Sequence, residues 1–484
     1  MSTYPVRILP VDRTLTVAAG TVLLQALQQA GLHADAPCGG NGTCGKCKVL
    51  VDGNEVLACQ YTVDRPMTVT LLQTEDGVIL TEGLSLQVRP DGLWDYALAF
   101  DIGTTTLVCY LLDGHTGKQL AQSSCLNPQT QYGADVITRL QHVLQHKDNG
   151  LQKALLEAMA QLTEDVARQA EISPNRITLA VVVGNTAMHH ILLGIDPKPL
   201  TTPPYMPKVS EAMEIPVKGL LPIAETGTIR ILPNIAGFVG ADTVACLLAT
   251  RFDKAENLTL LIDIGTNGEM VLGDKNGFLA CSTAAGPAFE GAKISCGMRG
   301  AEGAVDHVWS EGDGLTCHVI GEKDPVGLCG SGLLDLVAVL LDKGEILESG
   351  RMPCKEYRLS NTPVVLTQQD VREVQLAKGA IAAGIALMCE QLGRRMEEID
   401  IVLLAGAFGN YLDPKSACRI GLLPACLENK VRPIGNAAGA GAILCAVSKA
   451  EFEYSKHLAD RAQFLELASL PQFQEDYIDA LVFP

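Results

Sequence analysis

TLLIDIGTNGEMVLG (residues 259–273) repeats the pattern of ALAFDIGTTTLVCYLLD (residues 97–113), and this repeat decides the fold. In each copy, an apolar run typical of a buried β-strand ends at the tetrapeptide D-I-G-T, and a second apolar run follows the turn. Asp101 of the earlier copy corresponds to Asp263 of the later one. Because a supersecondary unit that recurs within one chain indicates a duplicated fold, the sequence predicts two related α/β lobes.

The residues around the two copies alternate between strands and helices, which is typical of α/β proteins. ITLAVVVGNTAMHHILLG (177–194) and ILPNIAGFVGADTVACLLATRF (231–252) each run from an apolar strand through a glycine turn into a helix. The predicted domains are residues 97–255 for the first lobe, residues 256–449 for the second lobe, whose closing helix is able to return to the first, and residues 450–484 for a C-terminal tail.

The amino-terminal residues have the pattern of a small mixed sheet with one helix. Two short strands are predicted before residue 19, TVLLQALQQAGL (21–32) is amphipathic, and KVLVDG and MTVTLL predict later strands. One helix packed on a small sheet in this order predicts a β-grasp, ferredoxin-like domain over residues 1–73. Residues 74–96 carry Pro and Gly without sustained periodicity, which predicts a linker.

Four cysteines lie in and after the stretch CGGNGTCGKC (38–47), with the spacing C-x5-C-x2-C-x11-C. The candidate metal ligands are Cys38, Cys44, Cys47 and Cys59. A structural zinc site more often uses two separate C-x2-C pairs, and this segment has one. A glycine-rich loop that supplies several thiolates is typical of a [2Fe-2S] cluster, although the plant-type spacing is C-x4-C-x2-C with a distant fourth ligand. The segment favours a [2Fe-2S] cluster, with zinc and unliganded thiols as the alternatives.

The D-I-G-T turns carry the side chains that phosphate and Mg²⁺ require. A carboxylate at the end of a strand can hold Mg²⁺ through water or orient an attacking water, and the glycine after it lets the backbone approach a phosphate. The hydroxyls that can join the turn N–H groups in binding phosphate oxygens are those of Thr104, Thr105, Thr106 and Thr266. In LLAGAFGN (403–410), Gly406 and Gly409 would leave room for adenine and ribose against the backbone.

Together, FDIGTTT, IDIGTNGE and LLAGAFGN resemble the phosphate-1, phosphate-2 and adenosine motifs of the superfamily of acetate and sugar kinases, Hsp70 and actin. The resemblance implies two facing α/β lobes that close over ATP and Mg²⁺. The residues that it assigns to the two phosphate turns are Asp101, Gly103, Thr104 and Thr105, and then Asp263, Gly265, Thr266 and Asn267. CGSGLLD (329–335) resembles a glycine turn that opens a helix near the nucleotide. Its candidate residues are Gly330, Ser331 and Gly332, and tight packing is the alternative role for both glycines.

Three acidic residues are the candidates for catalysis and for binding Mg²⁺. Asp263 is the first candidate for orienting the attacking water, with Asp101 on the Mg²⁺ side, and the sequence leaves the opposite order open. Glu290, in GPAFEGA (286–292), either contacts Mg²⁺ or its water or caps its own turn.

The charge of the chain disfavours several classes of partner. With 37 Lys and Arg against 55 Asp and Glu, the net charge is −18, and the field of the protein repels nucleic acid and anionic membranes. No apolar run predicts a membrane span, and MSTYPVRILPVDRTLTV lacks the basic and apolar regions of an export signal. The 16 cysteines, without such a signal, predict a reducing, cytoplasmic location.

The combination of these domains resembles the reductive activators of corrinoid proteins. The motifs that carry the resemblance are PCGGNGTCGKC ahead of the ATPase and NPQTQYGADVITRL, VVVGNTAMHHILLG, PNIAGFVGAD and GPAFEGA within it. The resemblance implies that ATP drives the transfer of one electron from the [2Fe-2S] cluster to an inactive cob(II)amide, which restores cob(I) in a methyltransferase system. It also implies a corrinoid protein as partner, an upstream electron donor and a possible homodimer. Because residues 74–96 leave space only for a tether, we expect a short form that lacks the middle domain of longer members.

Three other functions are compatible with these motifs. An ATP-driven electron donor to another radical or low-potential enzyme, as in the activators of 2-hydroxyacyl-CoA dehydratases, would share the ATPase half but hold a [4Fe-4S] cluster between two subunits. A small-molecule kinase with a redox-sensing domain would transfer the γ-phosphate to a metabolite. A scaffold of the actin or chaperone type would have negligible ATPase activity even beside a corrinoid protein.

Overall fold

The structure is a computed structural model of the chain that describes residues 2–9, 12–30, 47–71, 78–81, 84–133, 135–146, 149–291, 293–312, 314–359, 362–409 and 411–484. The chain divides into two compact units, with the boundary between Gln87 and Val88. No helix among the described residues is both long enough and apolar enough to cross a membrane.

The first unit is a five-stranded mixed sheet covered by one helix. Its elements are β1 (Thr3–Leu9), β2 (Arg13–Ala18), α1 (Leu23–Gln29), β3 (Lys48–Val51), β4 (Asn54–Leu57) and β5 (Met67–Leu71). The strand order is β2-β1-β5-β3-β4, and β1 and β5 are the parallel pair. Leu23 and Leu27 of α1 are fully buried with Val6, Ile8 and other apolar residues of the sheet, so one helix completes the core. The predicted β-grasp domain is confirmed.

The segment predicted as a linker contains a second, smaller sheet. Its two strands are β6 (Val78–Thr81) and β7 (Leu84–Gln87), which pair antiparallel.

The second unit begins with a six-stranded sheet. Its strands are β8 (Tyr96–Ile102), β9 (Thr106–Asp113), β10 (Gln119–Leu126), β11 (Ile177–Gly184), β12 (Met213–Pro216) and β13 (Thr228–Ile231). The helices of this part are α2 (Val136–His146), α3 (Gly150–Gln169), α4 (Thr186–Leu193) and α5 (Ala241–Thr250). The strand order is β10-β9-β8-β11-β13-β12.

A second six-stranded sheet follows in the remaining residues. The strands from here on are β14 (Thr259–Ile264), β15 (Gly268–Asp274), β16 (Gly277–Thr283), β17 (Ala304–Glu311), β18 (Gly314–Val319), β19 (Gly327–Leu328), β20 (Glu356–Arg358), β21 (Val365–Thr367), β22 (Ile401–Ala405), β23 (Val431–Gly435) and β24 (Ala462–Phe464). The helices are α6 (Gly330–Asp342), α7 (Gln368–Gln391), α8 (Gly406–Gly409), α9 (Pro414–Arg419), α10 (Ala437–Val447), α11 (Lys449–Arg461) and α12 (Pro471–Asp479). The order in the large sheet is β23-β22-β14-β15-β16-β24.

The two large sheets have the same topology around their D-I-G-T strands. In each, three consecutive strands form an antiparallel meander, β8-β9-β10 in one and β14-β15-β16 in the other. A later strand then pairs parallel to the first, β11 to β8 and β22 to β14. Leu98, Phe100, Leu260 and Ile262 on the two central strands are fully buried, which explains the continuous apolar runs in the sequence. The predicted duplicated α/β fold is confirmed.

Helix α10 connects the second sheet to the first. It follows β23, and it packs against β8, β11 and α5. The approach to α5 is so close that a Cβ atom at Gly441 would lie 2.2 Å from the carbonyl oxygen of Ala245. Because no side chain fits at that distance, the glycine is required for this contact.

We predict that Gly441→Ala lowers the free energy of unfolding by about 1–3 kcal/mol, because the added methyl group has to push α10 away from α5. Chemical denaturation measures the change. The matched control is Gly277→Ala at the first residue of β16, where a Cβ meets no atom within 4 Å, and its effect is expected to be within about 0.5 kcal/mol. Equal effects for the two variants would contradict the account of the α5–α10 contact.

Candidate functional site

The two D-I-G-T turns meet at the carboxylate of Glu290. Thr105 Oγ1 donates a hydrogen bond to Glu290 Oε2 at 2.8 Å, and Thr266 Oγ1 donates to the same oxygen at 2.9 Å. The two hydroxyl oxygens are 3.4 Å apart. Residues that were predicted to bind phosphate from opposite lobes are therefore joined through one acidic side chain.

Each turn is closed by a hydrogen bond from its glycine. The Gly103 N–H donates to the Thr106 carbonyl at 2.9 Å, and the Gly265 N–H donates to the Asn267 carbonyl at the same distance. A Cβ atom at Gly103 would lie 2.8 Å from the Thr106 oxygen, so glycine is needed there for the turn to close. Thr106 itself is exposed at the start of β9.

Two asparagines that the sequence did not single out hold the first turn. Asn127 donates from its side chain to the Gly103 carbonyl and from its backbone to the Thr105 carbonyl, both at 2.9 Å. Asn185 donates from Nδ2 to Thr104 Oγ1 at 3.0 Å, and its own Oδ1 caps α4. Both lie in motifs quoted above, NPQTQYGADVITRL and VVVGNTAMHHILLG, where an asparagine follows a strand.

Four half-buried carboxyl groups lie at the ends of the strands and at the start of α5. Asp101 and Asp263 were predicted, whereas Asp242 on α5 and Glu269 on β15 were not. Burial raises the pKa of Asp101 to about 6. Burial, followed by the negative charges of neighbouring carboxylates, raises the pKa of Asp242 and of Asp263 to about 7. The same causes raise the pKa of Glu269 well above its usual range.

This concentration of acidic groups fits a divalent cation. Among the residues that the structure describes, no three His, Cys, Asp or Glu side chains converge as a preformed metal site. Mg²⁺ keeps several waters and binds proteins through one or two carboxylates together with substrate phosphates, so it does not require such convergence. Asp101, Asp263 and Glu290 are the residues that would hold Mg²⁺ or its waters, and the ion would supply charge neutralisation there.

Asp101 and Asp263 differ in their hydrogen bonds. Asn436 donates from Nδ2 to Asp101 Oδ2 at 2.8 Å and also caps α10 through its Oδ1. Asp263 Oδ2 lies 4.0 Å from the Cys246 sulfur. The orientation of the Asp101 carboxylate is thus fixed by Asn436, the residue that caps α10.

The two glycines of LLAGAFGN lie just after β22, and Gly406 is next to the Asp263 carboxylate. Gly406 has a φ of +85°, and a Cβ atom there would lie 2.7 Å from Asp263 Oδ1. The glycine therefore provides both the left-handed turn and the space beside the carboxylate. A Cβ atom at Gly409 would lie 3.1 Å from the Leu404 Cβ, so this second glycine allows α8 to pack closely against the preceding strand, β22.

Gly330, Ser331 and Gly332 open α6 in a tightly packed environment. A Cβ atom at Gly330 would lie 2.1 Å from the Phe289 carbonyl oxygen and 2.7 Å from the Phe408 ring. One at Gly332 would lie 2.2 Å from the Val305 oxygen, and Ser331 is only 2% exposed. The structure therefore shows a packing role for both glycines, and nucleotide binding by this turn stays a prediction.

In the first unit, a hairpin brings Cys47 and Cys59 together. Cys47 precedes β3 and Cys59 follows β4, and these strands pair with Lys48 opposite Leu57. Both cysteines are buried, and the Cys59 N–H donates to the Cys47 sulfur at 3.5 Å. The eleven residues between Cys47 and Cys59 thus form the β3–β4 hairpin, which brings Cys59 back beside Cys47. An amide aimed at a cysteine sulfur suits an iron–sulfur cluster. Cys38 and Cys44, the other two predicted ligands, lie outside the described residues.

Three family models match the chain. They are a 2Fe-2S iron-sulfur cluster binding domain over residues 6–69, the RACo middle region over residues 96–255, and the C-terminal domain of RACo, an ASKHA domain, over residues 257–484. The match at residues 6–69 favours the iron–sulfur interpretation of the cysteines over zinc.

Known proteins resemble the chain over 80–99% of its length. The corrinoid activation enzyme RamQ of Eubacterium limosum is 32% identical, with 98% of each chain covered. The [Co(II) methylated amine-specific corrinoid protein] reductase of Methanosarcina barkeri is 25% identical, over 80% of this chain and 77% of that protein. Among solved structures, a reductive activator for corrinoid, iron-sulfur protein is 29% identical, with a TM-score of 0.76 and coverage of 99% of this chain and 98% of the other.

The expectation that the middle domain is absent was wrong. The middle region matches residues 96–255, the part of the chain that was predicted as the first ATPase lobe. A middle domain was expected as a separate insertion between the linker and the first D-I-G-T turn. The middle region has no such insertion, because it contains that turn and the whole sheet around β8.

We predict that, without divalent cation, the free energy of unfolding falls as pH rises from about 4 to about 7. The folded-state pKa values of Asp101, Asp242 and Asp263 lie above the unfolded value of about 3.9, so the folded state binds more protons in this window. Asp242→Asn removes one such group and should reduce the slope by up to about 1.4 kcal/mol per pH unit. Denaturation in EDTA at several pH values measures it, with Asp400→Asn at an exposed position as the control. Identical slopes for Asp242→Asn and wild type would contradict the prediction.

We predict that Cys47→Ser and Cys59→Ser each abolish or strongly weaken the visible absorbance of a reconstituted [2Fe-2S] cluster, because serine is a poor iron ligand. The control is Cys445→Ala, which removes a buried thiol from α10 in the other unit and should leave the cluster spectrum unchanged. A wild-type spectrum from Cys59→Ser would exclude it as the fourth ligand.

Proposed function

The chain belongs to the RACo family of reductive activators of corrinoid proteins, and from that premise we propose that it returns one electron to the inactive cob(II)amide of a corrinoid partner in an ATP-dependent reaction. The electron comes from a [2Fe-2S] cluster in the first unit, and restored cob(I) re-enters a methyltransferase system. The observation that carries the proposal is the meeting of two phosphate turns at Glu290 in a chain that also brings two buried cysteines together in a ferredoxin-type unit.

The energetics explain why such a reaction requires ATP. A plant-type [2Fe-2S] cluster has a potential of about −400 mV, and every 59 mV of unfavourable difference lowers the equilibrium constant for one electron about tenfold. Reduction of cob(II)amide is harder than that potential allows. Nucleotide binding therefore has to favour the state of the complex in which the electron has moved, through a different affinity for the partner in each state.

The threonine hydroxyls and the backbone N–H groups of the two turns are the proposed donors to the phosphates of ATP. Thr105 and Thr266, with the N–H groups of their turns, bind phosphate oxygens in this proposal, and those oxygens take the hydroxyl hydrogen bonds that Glu290 accepts in the structure. Once released from the threonines, Glu290 is available to Mg²⁺ or its water. Gly103, Thr104, Thr106, Gly265, Asn267 and Gly406 complete the proposed nucleotide contacts.

Asp263 is the better candidate for orienting the attacking water. Its pKa of about 7 suits a group that accepts a proton near neutral pH, and it lies beside Gly406 at the end of β14. Asp101 is held by Asn436 and serves on the Mg²⁺ side. Asp242 is the second candidate for the water, since it shares the raised pKa.

Four cysteines form the proposed cluster site. Cys47 and Cys59 supply the pair that the β3–β4 hairpin brings together, and Cys38 and Cys44 supply the remaining two thiolates from the glycine-rich segment before it.

Several finer properties complete the proposal. Residues 97–255 and 256–449 act as the two lobes of the ATPase, with α10 of the second packed on β8 of the first. A separate electron donor reduces the cluster between turnovers, and the protein works as a homodimer in the cytoplasm. Buried thiols such as Cys109, Cys246 and Cys445 support a reducing compartment.

We predict that the reduced protein generates cob(I) absorbance from a cob(II)-loaded corrinoid protein only when Mg-ATP is present. Asp263→Asn should lower the ATP-dependent rate about 100-fold or more, because it removes the proposed water-orienting carboxylate. Asp400→Asn, at an exposed position after α7, is the matched charge control and should retain the wild-type rate. Absence of an ATP-dependent cob(I) signal with every corrinoid protein tried would refute the proposed function. Transfer of labelled γ-phosphate to a metabolite would favour the kinase alternative.

A further inference from the structure

Arg139 is a completely buried arginine near the first phosphate turn. It lies on α2, within the motif NPQTQYGADVITRL, and none of its surface is exposed. Its Nε donates to the Gly133 carbonyl at 2.9 Å, and its Nη1 donates to Gln129 Oε1 at 3.4 Å. The third nitrogen, Nη2, is buried without a hydrogen-bond acceptor.

No carboxylate among the described residues forms an ion pair with Arg139. Burial lowers its pKa to about 10, and the negative charges of Asp135 and Glu290 oppose that shift from a longer distance. Because a buried charge without a counter-ion is strongly destabilising, the chain retains this arginine at a cost to stability. A buried guanidinium with one nitrogen that lacks an acceptor is suited to bind an anion.

Arg230 shows how the same fold buries an arginine that has a structural role. It lies on β13, is 1% exposed, and pairs through Nε with Glu214 at 3.3 Å. The rings of Trp94 and Phe452 lie against its guanidinium, with centroids at 5.4 Å and 5.2 Å. One of its nitrogens, Nη1, also lacks an acceptor, but its charge is compensated. Arg139 has neither a paired carboxylate nor an aromatic ring among the described contacts.

Hydrogen bonds connect Arg139 to the phosphate turn. Gln129, which accepts from Arg139, donates its backbone N–H to Asn127 Oδ1 at 3.0 Å. Asn127 in turn holds the carbonyls of Gly103 and Thr105. A displacement of the guanidinium would therefore be transmitted to the turn through two buried side chains.

We propose that Arg139 binds the terminal phosphate of ATP and makes the site prefer ATP over ADP. The proposal rests on the proposed function, because it assigns one more residue to the same nucleotide site. The nitrogen that donates to the phosphate is Nη2, because it has no acceptor in the structure. Since this nitrogen is shielded from solvent, Arg139 must move together with residues 127–133, two of which accept hydrogen bonds from its guanidinium, for the contact to form. ATP provides the anion that draws this segment, whereas ADP does not. Arg139 is thus a specificity-determining residue, and its movement on binding ATP changes the hydrogen bonds that hold the first phosphate turn.

The test is calorimetric titration of the full-length protein with Mg-ADP and with Mg-AMPPNP, a non-hydrolysable ATP analogue. Arg139→Gln, which keeps a donor but loses the charge, should weaken AMPPNP binding about 10- to 100-fold and change ADP binding by less than about threefold. Arg139→Lys keeps the charge and should retain more of the preference for AMPPNP than Arg139→Gln does. Arg230→Gln is the matched control, and it should leave the ratio of the two affinities unchanged.

Parallel weakening of both nucleotides in Arg139→Gln, or an unchanged ratio, would overturn the inference and leave the proposed function standing. A wild-type protein that binds neither nucleotide would overturn both. Should Arg139→Gln fail to fold, Arg139→Lys decides alone: a loss of affinity confined to AMPPNP supports the role, and unchanged affinities or parallel weakening of both nucleotides reject it.

Discussion

One oxygen of Glu290 accepts hydrogen bonds from two threonine hydroxyls that lie 161 residues apart in the chain. Each threonine belongs to a turn at the end of a buried central strand, so this carboxylate fixes the relative position of the two halves of the duplicated fold. The strand order repeats around both turns, and α10 crosses between the sheets. The rest of the second unit is arranged around this junction.

Four carboxyl groups lie close to this junction in a half-buried environment, where negative charge is poorly solvated. Asp101, Asp242, Asp263 and Glu269 are half-buried, and burial raises the pKa of all four, with repulsion from neighbouring carboxylates adding to the shift of Asp242, Asp263 and Glu269. A cation that screens these charges stabilises the site, and Arg139 is a buried positive charge that Gln129 and Asn127 link to the first phosphate turn. The site is thus built for a ligand that brings both a divalent cation and anionic phosphates. Such a ligand changes the hydrogen bonds of both halves at once, which is the property that a nucleotide-driven activator requires.

The sequence predicted those features that depend on local pattern. The repeated D-I-G-T turns predicted the duplicated sheets and Thr105 and Thr266, and the cysteine spacing predicted the pair Cys47 and Cys59. Residues that act through long-range contacts were missed. Asp242 and Glu269 end the quoted motifs PNIAGFVGAD and IDIGTNGE, but their burial beside other carboxylates cannot be read from those motifs. Arg139 differs from a solvated helix arginine only through its burial. The middle region was misjudged because its strands and turn follow the same local pattern as the ATPase sheet, and that pattern alone does not separate the two.

The structure of the protein bound to Mg²⁺ and AMPPNP, determined by crystallography, tests the account most directly. The account predicts that both threonine hydroxyls have left Glu290 and donate to phosphate oxygens, with Glu290 turned toward the metal ion or its water. A structure with nucleotide bound in which Thr105 and Thr266 still donate to Glu290 would contradict the central role of this junction.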